Sequence, residues 1–249
     1  MMLIRSIVSL IAAIYSLVAQ ASPPTLHILT EHLPPYQMTV DGKVKGFATE
    51  VIRSALSHTN IDYSIKIYPW TRAYHMAINN KNSCIYSIAR TPERENLFQW
   101  TQAIATTDST LIGLRDNSGI EISTLEQAKQ YKIAVIRDDV THQLLIEKGF
   151  KEGENLYIVN NSSSLLRLLA ERKAIDLIFA DIMTVKYRAL HDNIDPSIFT
   201  PYLNLNDKPL NFYLACSLST PKEIVNQLNQ AITTIKSKGQ HQAIIEQWQ

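Results

Sequence analysis

Two arginines follow directly on a mostly apolar segment and offer the clearest chemistry in this sequence. Residues 84–89 (CIYSIA) are followed at once by residues 90–94 (RTPER). Thr91 suits a helix N-cap and Pro92 suits the first helical position. Helix-start amides beside an arginine fork bind anions, above all carboxylates. The same residues also fit a solvated turn with two surface arginines, so their position in the fold decides between the two interpretations.

Strands and helices alternate along the chain, and this alternation predicts where the arginines lie. Short apolar or alternating segments predict strands, and apolar residues at helical spacing predict amphipathic helices between them. The alternation predicts an α/β fold with mainly parallel sheets flanked by helices. The predicted strands are 26–29, 63–67, 84–89, 110–114, 132–136, 156–159, 175–180 and 210–218. Helices are predicted over 47–56, from Pro69, from the capping box at 123–126, through 144–146 and 165–169, and from Pro221.

The strands and helices form two successive α/β units, followed by one further strand and helices. The simplest arrangement has two lobes joined by crossing strands. Residues 22–108 and 211–249 would form the first lobe, and residues 109–210 the second. A ligand cleft is then expected between the lobes at the carboxyl ends of the strands. Because residues 90–94 follow such a strand end, their position favours the binding interpretation.

The first 21 residues have the pattern of a secretory signal peptide. Arg5 precedes an apolar run over residues 7–18, and residues 19–21 (AQA) supply a small-x-small cleavage site. The run is short for a bilayer span, although a signal anchor is the alternative. No cysteine follows that could accept a lipid. We therefore expect a soluble, unlipidated periplasmic protein.

Charge and motifs argue against several classes of protein. Without Arg5 the count of Lys and Arg falls from 24 to 23 and equals the 23 acidic residues, which argues against nucleic acid and anionic lipid as partners. The chain lacks HExxH, GxSxG and a glycine-rich phosphate loop, and its seven histidines are scattered without metal-ligand spacing. We expect no metal and no cofactor. Cys84 and Cys216 are either a disulfide or two buried thiols.

Five segments, in this order, resemble the family 3 periplasmic solute-binding proteins, which deliver polar amino acids and related solutes to ABC importers. The likeness covers essentially the whole chain after the signal peptide. It implies a monomeric, two-lobed type II periplasmic-binding-protein fold, a small polar zwitterion such as an amino acid or a derivative as ligand, and an ABC permease as possible partner. The segments are TEHLPPY (30–36), GKVKGFATEVI (42–52), ARTPERENLFQW (89–100), KIAVIRDDVTHQLL (132–145) and AIDLIFAD (174–181).

The resemblance also implies roles for individual residues. Arg94 matches the arginine that clamps the α-carboxylate of the ligand, and Asp181 matches the second-lobe carboxylate that takes the α-ammonium. Asp181 also fits a plain helix N-cap. Ser87 and Ala89 would line the floor beside Arg94, with Ala89 standing where many amino-acid binders keep a hydroxyl. The residues matching the loop and helix start that close the site from the second lobe are Asp139, Val140 and Thr141.

One segment departs from the common pattern of the family. Residues 68–74 (YPWTRAY) resemble a subset with a Pro-Trp-x-Arg signature. Trp70 could stack on a ligand and Arg72 could offer a second cationic fork, or these side chains could be packed core and surface charge. Glu31 and Tyr36 are expected on the same rim. A ligand with an extra acidic or polar group would suit such a site.

The resemblance leaves two alternatives to solute delivery and bears on the cysteines. The same fold includes periplasmic dehydratases, for which Glu31 would be the candidate acid or base. A pair of lobes can also present its closed form to a membrane receptor as a sensor.

The strand that holds Cys84 lies beside the strand that holds Cys216 in this fold, which implies a disulfide.

Overall fold

Two five-stranded sheets organise the chain in a computed structural model that describes residues 25–107, 110–117, 119–171, 174–204 and 210–248, with the side chains of residues 162 and 163 excepted. The predicted signal peptide lies outside these residues. The strands are β1 Leu26–Thr30, β2 Met38–Val40, β3 Lys43–Lys45, β4 Tyr63–Ile67, β5 Ser83–Ala89, β6 Phe98–Thr107, β7 Thr110–Leu114, β8 Ile133–Ile136, β9 Leu156–Val159, β10 Leu177–Ala180, β11 Phe199–Asn204 and β12 Leu210–Ser217.

Helices connect the strands and cover the sheets. The α-helices are α1 Phe47–Leu56, α2 Trp70–Asn79, α3 Pro92–Glu95, α4 Val140–Glu147, α5 Ser162–Ala170, α6 Ile182–His191, α7 Lys222–Ser237 and α8 Gln240–Glu246. Two short 3-10 helices lie at Gln127–Gln130 and Pro196–Ile198. Within the described ranges, no helix is both long and apolar enough to cross a membrane.

The two sheets define two lobes. The first lobe has the strand order β4-β1-β5-β12-β6, and the second has β11-β7-β10-β8-β9. Pairing is parallel within the strand–helix units, at β4-β1-β5 and β10-β8-β9, and antiparallel where β6, β7, β11 and β12 join. Antiparallel neighbours need no helical crossover. Each sheet is therefore mixed, and the expected α/β fold of two helix-flanked sheets is confirmed.

The lobe limits expected from the sequence, at 108/109 and 210/211, stay a prediction. The strands of the first sheet come from residues 26–107 and 210–217, and those of the second from residues 110–204. Residues 108–109 and 205–209, through which the chain passes from one sheet to the other, lie outside the described residues.

One buried apolar cluster continues from the first lobe into the second. It includes Trp70 and Ile85 beside the first sheet together with Ile112, Ile136 and Ile178 of the second. Removing apolar surface from water stabilises by about 25 cal/mol per Å². The structure is therefore a closed arrangement in which the lobes pack on each other.

The capping box at residues 123–126 does not open the predicted α-helix. Only the 3-10 turn Gln127–Gln130 forms there. The Oε1 atom of Gln127 accepts from both the amide and the hydroxyl of Ser123, at 2.8 and 2.9 Å. Strand β8 begins at Ile133, so the segment is too short for several helical turns. The prediction of an α-helix was wrong here because a capping box marks where a helix can start but not how many residues remain before the next strand.

The disulfide implied by the resemblance is confirmed. Cys84 on β5 lies directly opposite Cys216 on β12 in the antiparallel register. The two sulfur atoms are bonded, and 132 positions of sequence separate the residues. The bond ties the returning strand β12 to the part of the first lobe that comes earlier in the chain.

Candidate functional site

A cavity of about 80 Å³ lies between the two lobes, where the strands of both sheets end. The end of β1, the start of α2 and the β5–α3 turn line it from the first lobe. The β8–α4 loop and the start of α6 line it from the second. The predicted site residues that line this cleft are Glu31, Trp70, Ser87, Ala89, Arg94, Asp139, Val140, Thr141 and Asp181.

Arg94 lies at the centre of the cleft and is only 1% exposed. Its Nη1 donates to the carbonyl of Ala89 at 3.3 Å and its Nη2 to the carbonyl of Asp138 at 3.0 Å. The guanidinium carbon lies 5.3 Å from the ring centroids of both Trp70 and Tyr74. In the part of the chain that the structure describes, Nε has no hydrogen-bond partner and no ion pair involves Arg94. Such a buried cation favours an anionic ligand.

The turn after β5 explains how the two arginines differ. Thr91 is the N-cap and Pro92 the first residue of α3, as predicted, and this single turn directs Arg94 back beneath the strand end. Arg90 is exposed and forms an ion pair with Glu95. Helix α3 has only four residues, and the Thr91 side chain makes no capping bond. The charged group that this turn places in the cleft is the Arg94 guanidinium.

Asp181 is both a helix cap and a contact between lobes. Its Oδ1 accepts from the amides of Met183 and Thr184 at 2.6 and 3.1 Å, so it caps α6. Its Oδ2 lies 2.8 Å from the Tyr36 hydroxyl and 2.7 Å from that of Thr107. A carboxylate has about four acceptor positions. A ligand ammonium at Asp181 would therefore have to replace one of the two hydroxyls.

Tyr36 supports the cleft from outside. It does not line the cavity, and its hydroxyl also lies 2.9 Å from the carbonyl of Thr106. Gly46, with φ of +119°, permits the close approach that fixes it, because a Cβ at Gly46 would overlap the carbonyl oxygens of Pro35 and Tyr36. Tyr36 was expected on the rim of the cleft; it instead lies outside the cavity and positions the Asp181 carboxylate.

Trp70 and Arg72 lie on different faces of α2. The Trp70 indole is buried beside Arg94, and its Nε1 donates to the Asp138 carbonyl at 3.0 Å. Arg72 is exposed, outside the cavity, and its guanidinium carbon lies 4.6 Å from the Tyr68 ring centroid. Residues two apart on a helix do not share a face. The structure therefore does not bring Arg72 into the cleft.

The β8–α4 loop meets the first lobe directly. The Asp138 carbonyl accepts from both Trp70 and Arg94. Asp139 is the N-cap of α4, and its carboxylate accepts from the Val140 amide at 2.5 Å and from the Thr141 hydroxyl at 3.3 Å. On the opposite side, Ser87 has a φ of +59° and donates from its hydroxyl to Gln37 Oε1 at 2.7 Å.

Sequence reasoning missed Arg188, which also lines the cleft. It is 8% exposed, and its Nη2 donates across the lobes to the carbonyl of His32 at 2.9 Å. Thr184 lines the cleft as well, and its buried hydroxyl has no partner among the described residues. Asp181, Thr184 and Arg188 are spaced i, i+3 and i+7, so they share one face of α6. This spacing is the sequence feature from which Arg188 could have been predicted.

Burial and neighbouring charges shift the titration of the cleft groups. Burial, then the Asp139 charge, raises the pKa of Glu31 to about 8, although Arg188 and Arg94 oppose the rise. Burial lowers the pKa of Arg188 to about 10, with Glu31 opposing. Loss of solvent raises the pKa of Asp139, with Arg94 opposing. Glu31, Asp139, Arg94 and Arg188 thus form one electrostatic group between the lobes.

Replacing Glu31 by glutamine should change how stability depends on pH. The folded protein retains a proton at Glu31 that the unfolded chain releases above 4.5, so the contribution of Glu31 to stability falls as pH rises from 4.5 to about 8. Glu31→Gln cannot ionise and should melt at a higher temperature than wild type at pH 8 to 9, and close to wild type at pH 4.5. Thermal unfolding across this range tests the expectation.

A matched control for that series is Glu147→Gln, because Glu147 is exposed at the end of α4. This variant should follow the wild-type curve at every pH. If Glu31→Gln also melted with the wild type at pH 9, the proposed shift at Glu31 would be absent.

The sequence is similar to that of a known protein family over most of its length. The profile of the "Bacterial extracellular solute-binding proteins, family 3" matches residues 26–249. The "Arginine-binding periplasmic protein" of Mannheimia haemolytica is 20% identical over 243 residues, which cover 96% of this chain and 97% of that protein.

Solved structures share the two-lobed fold. A histidine kinase sensor domain with similarity to periplasmic binding proteins superposes with a TM-score of 0.80 at 18% identity, covering 90% of this chain and 95% of that domain. The arginine-, lysine- and histidine-binding protein ArtJ of Geobacillus stearothermophilus gives 0.77 at 14% identity, with coverage of 90% and 95%. An ancestral arginine-binding protein bound to glutamine gives 0.77 at 17% identity, with coverage of 91% and 98%. These matches confirm the expected type II periplasmic-binding-protein fold.

Proposed function

Because the chain belongs to the bacterial extracellular solute-binding proteins of family 3, we propose that it captures a small amino acid or related carboxylate between its lobes. The family is one of solute binding, and the activity that we propose is capture and release of the solute without turnover. We place the protein in the periplasm as a monomer that delivers its ligand to an ABC-type permease. Its relative from Mannheimia haemolytica carries the name of a periplasmic arginine binder, which supports an amino acid as the class of ligand.

The observation that carries this proposal is the state of Arg94. Its guanidinium is buried in the cleft wall, and within the described residues it has hydrogen bonds to two carbonyls but no carboxylate partner. The unpartnered Nε leaves one side of the fork available. Charge-assisted bonds to a carboxylate are about twice as strong as neutral ones. A ligand carboxylate would supply the negatively charged partner that Arg94 lacks among the described residues.

Contacts between the lobes provide the means of closure. Arg94 reaches Asp138, Arg188 reaches His32, and Asp181 meets Tyr36. Each of these pairs joins a residue of one lobe to a residue of the other, so each is lost when the lobes separate. A ligand that contacts both lobes binds the closed form more tightly and shifts the equilibrium towards it.

A thermal-shift screen tests the proposed function. The mature protein would be heated with each member of a panel of amino acids, their derivatives and small carboxylic acids. A ligand at about 100 times its dissociation constant adds roughly 2.7 kcal/mol of stability. We expect at least one amino acid or carboxylate to raise the melting temperature. If no compound of the panel raised the melting temperature, the proposed function would be contradicted.

The proposed ammonium contact at Asp181 has its own test. Asp181→Asn keeps an oxygen to cap α6, and its amide can donate to hydroxyls that turn to accept, so chiefly the charge is lost. Affinity for the stabilising amino acid should fall about 10-fold to 100-fold, since bonds to charged groups contribute about 1.5–3 kcal/mol. Calorimetric titration would measure this for the amino acid and for the matching acid without its amino group.

The comparison between those two ligands decides the role of Asp181. The acid without an amino group should bind wild type and Asp181→Asn equally well. An equal loss for both ligands would mean that Asp181 acts through the helix cap and the lobe contact only. No loss for either would exclude Asp181 as an ammonium partner.

A further inference from the structure

Arg188 and Glu31 are two buried titratable groups of the cleft that the carboxylate site does not use. Each is 8% exposed, and both line the same cavity. Each influences the titration of the other, and the Arg188 guanidinium is anchored by its hydrogen bond to the His32 carbonyl, next to Glu31 in sequence. The second lobe therefore presents a guanidinium to the acidic group of the first.

The other carboxylates of the cleft are already engaged. Asp181 caps α6 and is the proposed partner of the ligand ammonium, and Asp139 accepts from its own helix start. A cationic ligand side chain in this cleft would need Glu31, since burying a charge without a partner is costly. Arg188 lines the same cavity, and its charge acts on Glu31.

Apart from the hydroxyls of Thr107, Thr141 and Thr184, most of the remaining cavity wall is apolar. The side chains are supplied by β10, α5 and α6 of the second lobe and by β12 of the first. Such a wall offers burial to hydrocarbon and no partner to a charged group. Its main members are Leu165, Leu166, Ile178, Val185, Leu210 and Phe212.

We propose that Arg188 occupies, from within the protein, the position beside Glu31 that a cationic ligand side chain would take, so that the cleft accepts a carboxylate solute with an uncharged, apolar remainder. This inference rests on the proposed function and narrows it. It separates the chain from its relative that is named for arginine binding. A cavity of about 80 Å³ has room for roughly six water molecules, which suits a compact solute.

Specificity would then arise from repulsion as well as attraction. An arginine ligand clamped by Arg94 would bring a third guanidinium into a cleft that already holds two. Its side chain and Arg188 would then compete for Glu31. Like charges brought together in a poorly hydrated site disfavour binding. An apolar side chain meets no such penalty and buries itself against the leucine and isoleucine wall.

The test compares ligand preference in wild type and in Arg188→Met, which has a similar length without the charge. Calorimetric titrations would use L-arginine and L-lysine against L-alanine, L-valine and L-leucine. We expect wild type to bind its best apolar amino acid at least 10-fold more tightly than L-arginine. In Arg188→Met, the ratio of arginine affinity to that apolar affinity should rise at least 10-fold.

Two further variants separate charge from folding. Arg188→Lys keeps a cation beside Glu31 and should retain the wild-type ratio, whereas a purely structural role would affect it as much as Arg188→Met does. Arg72→Met removes an exposed arginine outside the cavity and should leave the ratio unchanged. Melting curves of each variant establish that it is folded before titration.

The outcomes are distinct from those of the proposed function. Wild-type binding of L-arginine as tight as that of the best apolar amino acid would overturn this inference while supporting the proposed function. An unchanged ratio in Arg188→Met would do the same. If no carboxylate of any class bound to wild type, the proposed function would fail and this inference with it.

Discussion

Replacing Arg94 by methionine should weaken binding of the carboxylate ligand by about 100-fold or more. Arg94 is buried at the centre of the cleft, where a ligand carboxylate would be its charged partner. Removing one member of a buried charged pair costs about 3–5 kcal/mol, and every 1.4 kcal/mol corresponds to tenfold in affinity. Calorimetric titration with the best ligand from the thermal-shift panel would measure the loss.

Arg90→Met is the matched control, because Arg90 belongs to the same turn but is exposed and paired with Glu95. Its affinity should equal that of wild type. A folded Arg94→Met protein that keeps ligand affinity within a few-fold of wild type would contradict the carboxylate clamp. So would an equal loss in both variants, which would point to the turn as a whole.

The second large effect is expected from loss of the disulfide. The bond closes a loop of 132 positions, for which the chain-entropy relation predicts about 5 kcal/mol, and measured losses in natural proteins are about 2–5 kcal/mol. Replacing both Cys84 and Cys216 by alanine should therefore lower the melting temperature by roughly 10 °C, since each kcal/mol shifts a protein of this size by about 2–4 °C. Differential scanning calorimetry would measure the shift.

Reduction provides the control for that experiment. A reductant should lower the melting temperature of wild type towards that of the double variant and leave the double variant unchanged. If the double variant melted together with untreated wild type, or if reductant affected both equally, the cross-link between β5 and β12 would not be a feature of the native protein.

Much of the fold could be predicted because it depends on local patterns. The apolar run at 84–89 and the alternation at 63–67 predicted β5 and β4, and the strand–helix order predicted the α/β class. The long strand β6 was missed, since polar residues such as Gln99 and Gln102 interrupt its apolar pattern. They bond to the chain around β12 and to α7, which are more than a hundred positions away.

The position of Arg94 in the cleft could be predicted more readily than the contacts around Asp181. Arg94 follows a buried strand and a helix start, and both signals are local. The partners of Asp181 are not local, because Tyr36 lies 145 positions away and reaches Asp181 only when the lobes are closed. The sequence therefore left open whether Asp181 is a cap or a ligand, and the structure shows the cap in place.

Arg72 and Arg188 show the two ways in which spacing informs such a prediction. The family-like signature at 68–74 suggested Arg72, although helical periodicity places it away from Trp70, and it is exposed. Arg188 had no motif, but it shares a face of α6 with Asp181. Helical spacing from Asp181 would have found Arg188, and helical spacing from Trp70 would have excluded Arg72.

The most direct measurement is a crystal structure of the protein with the ligand that stabilises it most in the thermal-shift panel. The account predicts that the ligand lies between the lobes with its carboxylate oxygens within hydrogen-bond distance of the Arg94 guanidinium. It also predicts an uncharged remainder against the apolar wall, with Arg188 still beside Glu31. A ligand bound outside the cleft, or one whose carboxylate makes no contact with Arg94, would contradict it.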